Sequence, residues 1–175
     1  TDASKWDHDP DDSSNTRKHP TKNFGHAVAV DGDTMVISYQ FSRNVRVYTR
    51  SDAGNPKSLW TLRAKLAVPS LTHDDTTNYT WSEGYGFAVA IDGDTIVVGQ
   101  PGAHAETDSD ADRRKLRGAA HVFTRDEAGD LTSSWRYVSR LSTDTFNDQS
   151  FVIEELFFGQ SVAIDGDVII VGTSD

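Results

Sequence analysis

Ala-Val-Ala-Val-Asp-Gly-Asp-Thr at 27–34 recurs as Ala-Val-Ala-Ile-Asp-Gly-Asp-Thr at 88–95 and as Ser-Val-Ala-Ile-Asp-Gly-Asp-Val at 161–168. Three copies of one pattern in 175 residues constrain the fold more than any single motif, because each copy must be one supersecondary unit stacked on the next. Asp92 follows Asp31 by 61 residues and Asp165 follows Asp92 by 73, so the cores repeat while the connections vary in length. Two further registers run through both full copies at an offset of 75. Val47-Tyr48-Thr49-Arg50 matches Val122-Phe123-Thr124-Arg125, each followed by an acidic residue and Ala-Gly; Trp60 to Leu66 matches Trp135 to Leu141.

Each register reads as a strand. Trp60, Leu62, Ala64 and Leu66 alternate with Thr61, Arg63 and Lys65, the period of two of a strand with one face buried. Ala88 to Ile91 and Thr95 to Val98 are apolar on both faces and so require cover on both sides. Asp-Gly between them is a strong hairpin signal, since a tight turn that matches strand twist needs residues tolerant of positive φ. The unit is therefore four antiparallel strands, A (24–30), B (34–38), C (45–50) and D (59–66) in the first copy. No segment sustains a helical stripe. The fold class is all-β, with four-stranded blades around an axis, about two and a half of them in this chain. The boundaries are 1–23 for the end of a preceding blade and a linker, 24–84 and 85–157 for two blades, and 158–175 for the first two strands of a third.

These residues resemble a known family. Phe24-Gly25, Tyr85-Gly86 and Phe158-Gly159 open the copies, and the second runs on to Gly99-Gln100-Pro101-Gly102. This is similar to the Phe-Gly…Gly-Ala-Pro signature of FG-GAP repeats, which form the β-propeller of integrin α subunits and of many secreted proteins. The first copy departs from it with Ile37-Ser38-Tyr39-Gln40 and the third with Val171-Gly172-Thr173-Ser174. Integrin-type blades carry a calcium loop between strands A and B. Here that connection has shrunk to Asp-Gly-Asp, too short for the six to eight oxygens calcium takes, so the triplets are read as turn residues. Two blades and fragments do not close a ring of four to eight; an excerpt of a longer polypeptide is the favoured expectation, association with further blades or copies the other.

The meander sends the A–B and C–D connections to one rim and the B–C and D–A connections to the other. Length is concentrated on the second rim, at about 67–84, 100–118 and 142–157, and long connections on a rigid scaffold are the usual carriers of recognition. The resemblance implies the same rim, since that is the ligand side in integrin-like propellers. Tyr79 and Trp81 stand among polar neighbours as stacking or anchoring candidates. His104 and Glu106 precede Asp108-Ser109-Asp110-Ala111-Asp112, whose alternating carboxylates suit calcium, although Arg113 stands where such loops need Gly. The alternative is a solvated acidic loop neutralised by Arg113, Arg114, Lys115 and Arg117, and the cluster of Asp7, Asp9, Asp11 and Asp12 reads the same way. Asn78-Tyr79-Thr80 is a glycosylation sequon for a chain on a secretory route.

Charge narrows the partners. A net charge of −10 opposes phosphate backbones and anionic lipid, so nucleic acid is not expected, and no apolar run approaches the ~20 residues of a spanning helix. The chain has no Cys, which leaves no disulfide or thiolate metal site. No cofactor is expected beyond calcium at the acidic loop. Catalytic arrangements are missing: Ser161 lacks a nucleophile elbow and is read as a buried strand residue, and the six His form no ligand pair. His26 and His121 fall in strands, in structural roles. The expectation is a non-enzymatic, extracellular or cell-surface segment for protein recognition, adhesion or assembly. The alternatives are a carbohydrate-binding module built on Tyr79 and Trp81, or a propeller accompanying an enzyme on the same polypeptide.

Overall fold

Each Asp-Gly step turns the chain where the sequence places it. In this computed structural model, which describes residues 24–39, 45–67, 84–103, 118–143 and 157–174, every regular element is a strand. They are β1 (Phe24–Asp31), β2 (Thr34–Tyr39), β3 (Val45–Arg50), β4 (Trp60–Leu66), β5 (Val89–Asp92), β6 (Thr95–Gln100), β7 (Ala119–Arg125), β8 (Trp135–Leu141), β9 (Ser161–Asp165) and β10 (Val168–Gly172). No helix among the described residues is long and apolar enough to cross a membrane.

The strands form two antiparallel four-stranded sheets, β1-β2-β3-β4 and β5-β6-β7-β8, and the pair β9-β10. These are the two blades and the half-blade expected from the repeat. Asp31 pairs with Thr34, Asp92 with Thr95 and Asp165 with Val168, so a two-residue turn closes all three hairpins in one register. Gly32, Gly93 and Gly166 take positive φ there, the conformation an L side chain resists.

The blades stack on one another. Val36, Val45, Val47 and Leu66 of the first blade bury against Ile96, Val98, Phe123 and Tyr85 of the second, with Val89 and Ile91 packed beside them. Each of these large side chains removed from water contributes about 1.5–3 kcal/mol before entropy is counted. The core thus lies between sheets rather than within one. β5 has β1 on one side and β9 on the other, as a strand apolar on both faces requires. Among the described residues β1 and β9 each have a neighbouring sheet on one side; Val28 and Val30 are exposed, and so is Ser161, which corrects the expectation that it is buried.

The fourth strand also departs from simple alternation. Val47 pairs with Ala64 but Tyr48 with Leu62, and in the second blade Val122 pairs with Ser139 but Phe123 with Tyr137. One extra residue, Arg63 or Val138, bulges at the same repeat position, and a bulge reverses the facing of everything beyond it. Leu62 therefore lies on the opposite face from Ala64 and Leu66 and is exposed, as is Val138.

The first Asp of the first two triplets reaches across to the next hairpin. Asp31 Oδ2 accepts from the backbone N–H of Gly93 at 2.6 Å, and Asp92 Oδ2 from that of Gly166 at 2.6 Å. The second Asp holds its own blade. Asp33 Oδ2 accepts from Gly54 N–H at 2.7 Å and Asp94 Oδ2 from Gly129 N–H at 2.9 Å, which ties the A–B turn to the C–D turn. The Ala-Gly pairs that repeated in the sequence are these C–D turns.

Arg125 fastens the same rim from inside. It is buried, its Nε donates to Asp94 at 2.7 Å, its Nη1 to the Asp130 carbonyl at 3.0 Å and its Nη2 to Thr34 of the first blade at 3.0 Å, with the guanidinium 4.6 Å from the Trp135 ring. Its repeat counterpart Arg50 lies 3.3 Å from Asp33 and 5.1 Å from the Trp60 ring but is partly exposed.

Candidate binding surface

The opposite rim is where β4 and β6 end and β5 and β7 begin. Here the aromatic of the Phe-Gly position does the anchoring. Tyr85 is buried beneath the first blade and its hydroxyl donates to the Leu66 carbonyl at 3.1 Å. Burial, and then the neighbouring Tyr137, push that hydroxyl's pKa far up, so it remains a neutral donor. The bond joins the last residue of β4 to the start of the second blade, and so gathers the two ends of the connection that carries Asn78, Tyr79 and Trp81.

The next connection is closed at its base in another way. Gly118 N–H donates to the Ala103 carbonyl at 2.9 Å, so the chain leaves the rim and returns to it at one point. His121 touches the first root and, through Gln100, the strand that leads to the second. Its Nε2–H donates to Gln100 Oε1 at 2.8 Å, and its ring lies 5.8 Å from Tyr85 and 6.0 Å from Tyr137. Burial, with the Arg140 charge adding to it, pushes the His121 pKa down to about 4. The imidazole is neutral at ordinary pH, and its Nδ1 has no hydrogen-bond partner among the described residues. A buried, neutral, half-satisfied imidazole can accept a hydrogen bond but holds no charge for an anionic ligand.

Glycine sets how closely the following blade approaches. A Cβ on Gly99 would stand 2.0 Å from the Gly159 carbonyl oxygen, and one on Gly159, at φ +97°, 2.1 Å from that of Ala119. The Phe-Gly of one blade and the Gly of the preceding strand B are thus two halves of one backbone contact. In the first blade Ser38 stands at that strand-B position, facing Gly86, and its Oγ accepts from Ala27 N–H at 3.0 Å.

The first blade presents a smaller aromatic group at the same rim. Phe24 and Tyr39 are 4.6 Å apart, Arg46 lies 4.5 Å over the Tyr39 ring, and His26 meets Phe87 edge-on at 5.2 Å. His26 is exposed and His121 buried, so two histidines read alike from sequence occupy opposite environments.

All eight residues singled out from sequence, Asn78, Tyr79, Trp81, His104, Glu106, Asp108, Asp110 and Asp112, lie outside the described residues. The structure places the roots of their connections, not the residues. No group of His, Asp and Glu able to hold a metal occurs among the described residues, and the first-position carboxylates Asp31 and Asp92 are already engaged by backbone N–H groups. Sequence reasoning missed Gln100 as a partner for His121. The signal was present: two polar residues near the ends of otherwise apolar strands, in registers that meet across β6 and β7.

A search of curated proteins returns no match to this chain. A family model described as FG-GAP repeat matches residues 70–123, a span that takes in both connections together with β5, β6 and most of β7. The antiparallel four-stranded blades, the aromatic-Gly anchor at Tyr85 and the close glycine contact of Gly99 with Gly159 are consistent with that match, so this part of the chain is similar to an FG-GAP repeat and suggests a β-propeller.

Proposed function

We propose that the chain is a non-enzymatic recognition segment of a secreted or cell-surface protein, and that it binds a protein partner through the two long connections 68–83 and 104–117. One observation carries this reading: the roots of both connections are tied by hydrogen bonds on the same rim, Tyr85 to Leu66 and Gly118 to Ala103. Non-repeating connections rooted on one rim of a rigid scaffold are the usual carriers of recognition. The opposite rim is tied off by short turns whose carboxylates are committed to backbone N–H groups. A carbohydrate partner is the second reading, favoured by the aromatic pair Tyr79 and Trp81 in the connection that Tyr85 anchors.

The test is binding of the 175-residue chain to a panel of purified extracellular proteins and to a glycan array, alongside two variants. One replaces 104–117 with a short turn that keeps the Ala103–Gly118 base; the other carries Tyr79→Ala with Trp81→Ala. Binding that both variants lose, and that Lys57→Ala on the short-turn rim retains, supports the proposal. Binding confined to glycans and lost only with the aromatic pair moves the function to carbohydrate recognition, and binding indifferent to both variants overturns both readings.

A further inference from the structure

Among the described residues, Phe157 alone combines a side chain with a positive φ, at +41°. A bulky residue in that region is an outlier whose cause has to be found. The repeat supplies the cause. The position before the aromatic-Gly pair is Asn23 in the first copy, Gly84 in the second and Phe157 in the third, and Gly84 has φ +82°. In both described copies the carbonyl of this residue closes a turn, accepting from Phe87 N–H at 2.9 Å and from Gln160 N–H at 3.1 Å. The turn in the third copy delivers the Phe158 backbone against Gly118, where a Cβ would stand 2.1 Å from the Phe158 carbonyl oxygen, and Gly159 against Ala119. Backbone packed this closely holds residue 157 in the left-handed region whatever its side chain. Gly and Asn suit that conformation and Phe does not.

We propose that Phe157 is a contact residue of the recognition surface and offers its ring to an apolar side chain of a protein partner, an inference that rests on the recognition reading above. The backbone requirement is met better by Gly, as Gly84 shows, so the ring serves something other than the turn. Its place fits that role. Phe158 bridges to Gly118, whose N–H makes the root bond to Ala103, which sets Phe157 beside the base of the connection 104–117. The residue is half-buried rather than enclosed. Ser174 stands in this copy where Pro101 stands in the second, and a Cβ on Gly84 would lie 3.0 Å from the Pro101 ring, so the third copy has the smaller neighbour where it has the larger side chain. A phenyl ring carries no hydroxyl or indole N–H to meet sugar hydroxyls, which favours an apolar protein contact. Strain imposed by the surrounding backbone also fixes the ring's position before a partner arrives.

The experiment compares folding and binding of the 175-residue chain with those of Phe157→Gly, Phe157→Ala and Phe157→Tyr. In urea, Phe157→Gly is at least as stable as the parent. Its folding constant exceeds that of Phe157→Ala roughly fivefold, because both lack the ring and only Gly relieves the strained φ. The binding probe is the member of the purified extracellular panel that the parent binds. Its Kd rises at least about tenfold for Gly and Ala alike and stays within about threefold for Tyr, which keeps the ring. A Phe157→Gly chain less stable than the parent shows that the ring packs on its own blade, and overturns the proposal. Gly and Ala variants that keep binding to a protein lost on replacing 104–117 also overturn it, and leave the recognition reading standing. A loss confined to the glycan array overturns the protein partner. A parent that binds no member of the panel overturns the recognition reading and this inference with it.

Discussion

Asp92 and Gly166 are 74 positions apart in the chain, yet the carboxylate of the first accepts the backbone N–H of the second at 2.6 Å, across the boundary between two sheets. Asp31 and Gly93 make the same bond one blade earlier. A hairpin turn thus leaves a donor pointing outward, and the preceding hairpin supplies the acceptor. Asp92→Ala is expected to cost about 1 kcal/mol, the net value of an exposed hydrogen bond, and Asp92→Asn, which keeps an acceptor oxygen, less than half of that. Urea midpoints for the two variants, at equal m-values, measure the difference.

Gly159 and Gly32 both have positive φ, but only Gly159 has backbone where a side chain would go. Gly32→Ala therefore costs the conformational penalty alone, about 1–2 kcal/mol. Gly159→Ala adds the displacement of a backbone carbonyl and is expected to cost at least about 3 kcal/mol in total. Thermal melts of the two variants separate the strain of φ from the closeness of the blades.

Arg125 and Arg50 are repeat counterparts with unequal consequences. Arg125→Lys keeps the charge but loses the fork that reaches Asp94, Asp130 and Thr34 together; with the side chain 2% exposed, the loss is about 3 kcal/mol. Arg50→Lys, at 22% exposure, is expected to cost under about 1 kcal/mol. Equal losses in chemical denaturation would show that the link from Arg125 to the first blade contributes little.

His121 makes stability depend on pH in a definite direction. Its pKa lies below the ordinary histidine value in the folded chain, at about 4, so the unfolded chain takes up a proton first as the pH falls. Stability is flat above the unfolded value near 6.5, declines between there and about 4, and levels off below, for a total on the order of 3 kcal/mol. Asp130, whose pKa is lowered by hydrogen bonds from Thr132, adds its own loss only at more acid pH, below the ordinary aspartate value. Denaturation of the parent and of His121→Gln at pH 7 and pH 4.5 tests this; the variant should lose most of the slope.

The scaffold was legible because its signals are local. Asp-Gly steps, strands apolar on both faces and the 75-residue offset each report a hairpin or a register within a few residues. What escaped was contact between units. The Asp-Gly-Asp triplets were read as turns, which they are, but nothing near Asp31 indicates a bond to Gly93. The bulge at Arg63 escaped for a related reason: one extra residue is invisible to a period-two reading that starts from Trp60, so Leu62 was placed on the wrong face. Ser161 was read as buried from its neighbours Val162 and Ala163, although burial there depends on the sheet alongside. For the candidate surface, the sequence points to a rim and its unusual residues, and the structure supplies what composition does not encode, namely that Tyr85 ties Leu66 and Gly118 ties Ala103 at the roots of two connections.

The carboxylate-to-hairpin bonds have a consequence for cooperativity. Each carboxylate reaches one neighbour and stops there, so the free energy of the stack is a sum over blades and adjacent pairs, as in a one-dimensional lattice. Opening then starts at a terminal unit and moves inward, and amides of β6, which has a sheet on both sides, exchange last. A lesion at one boundary weakens two units and is not felt by a third.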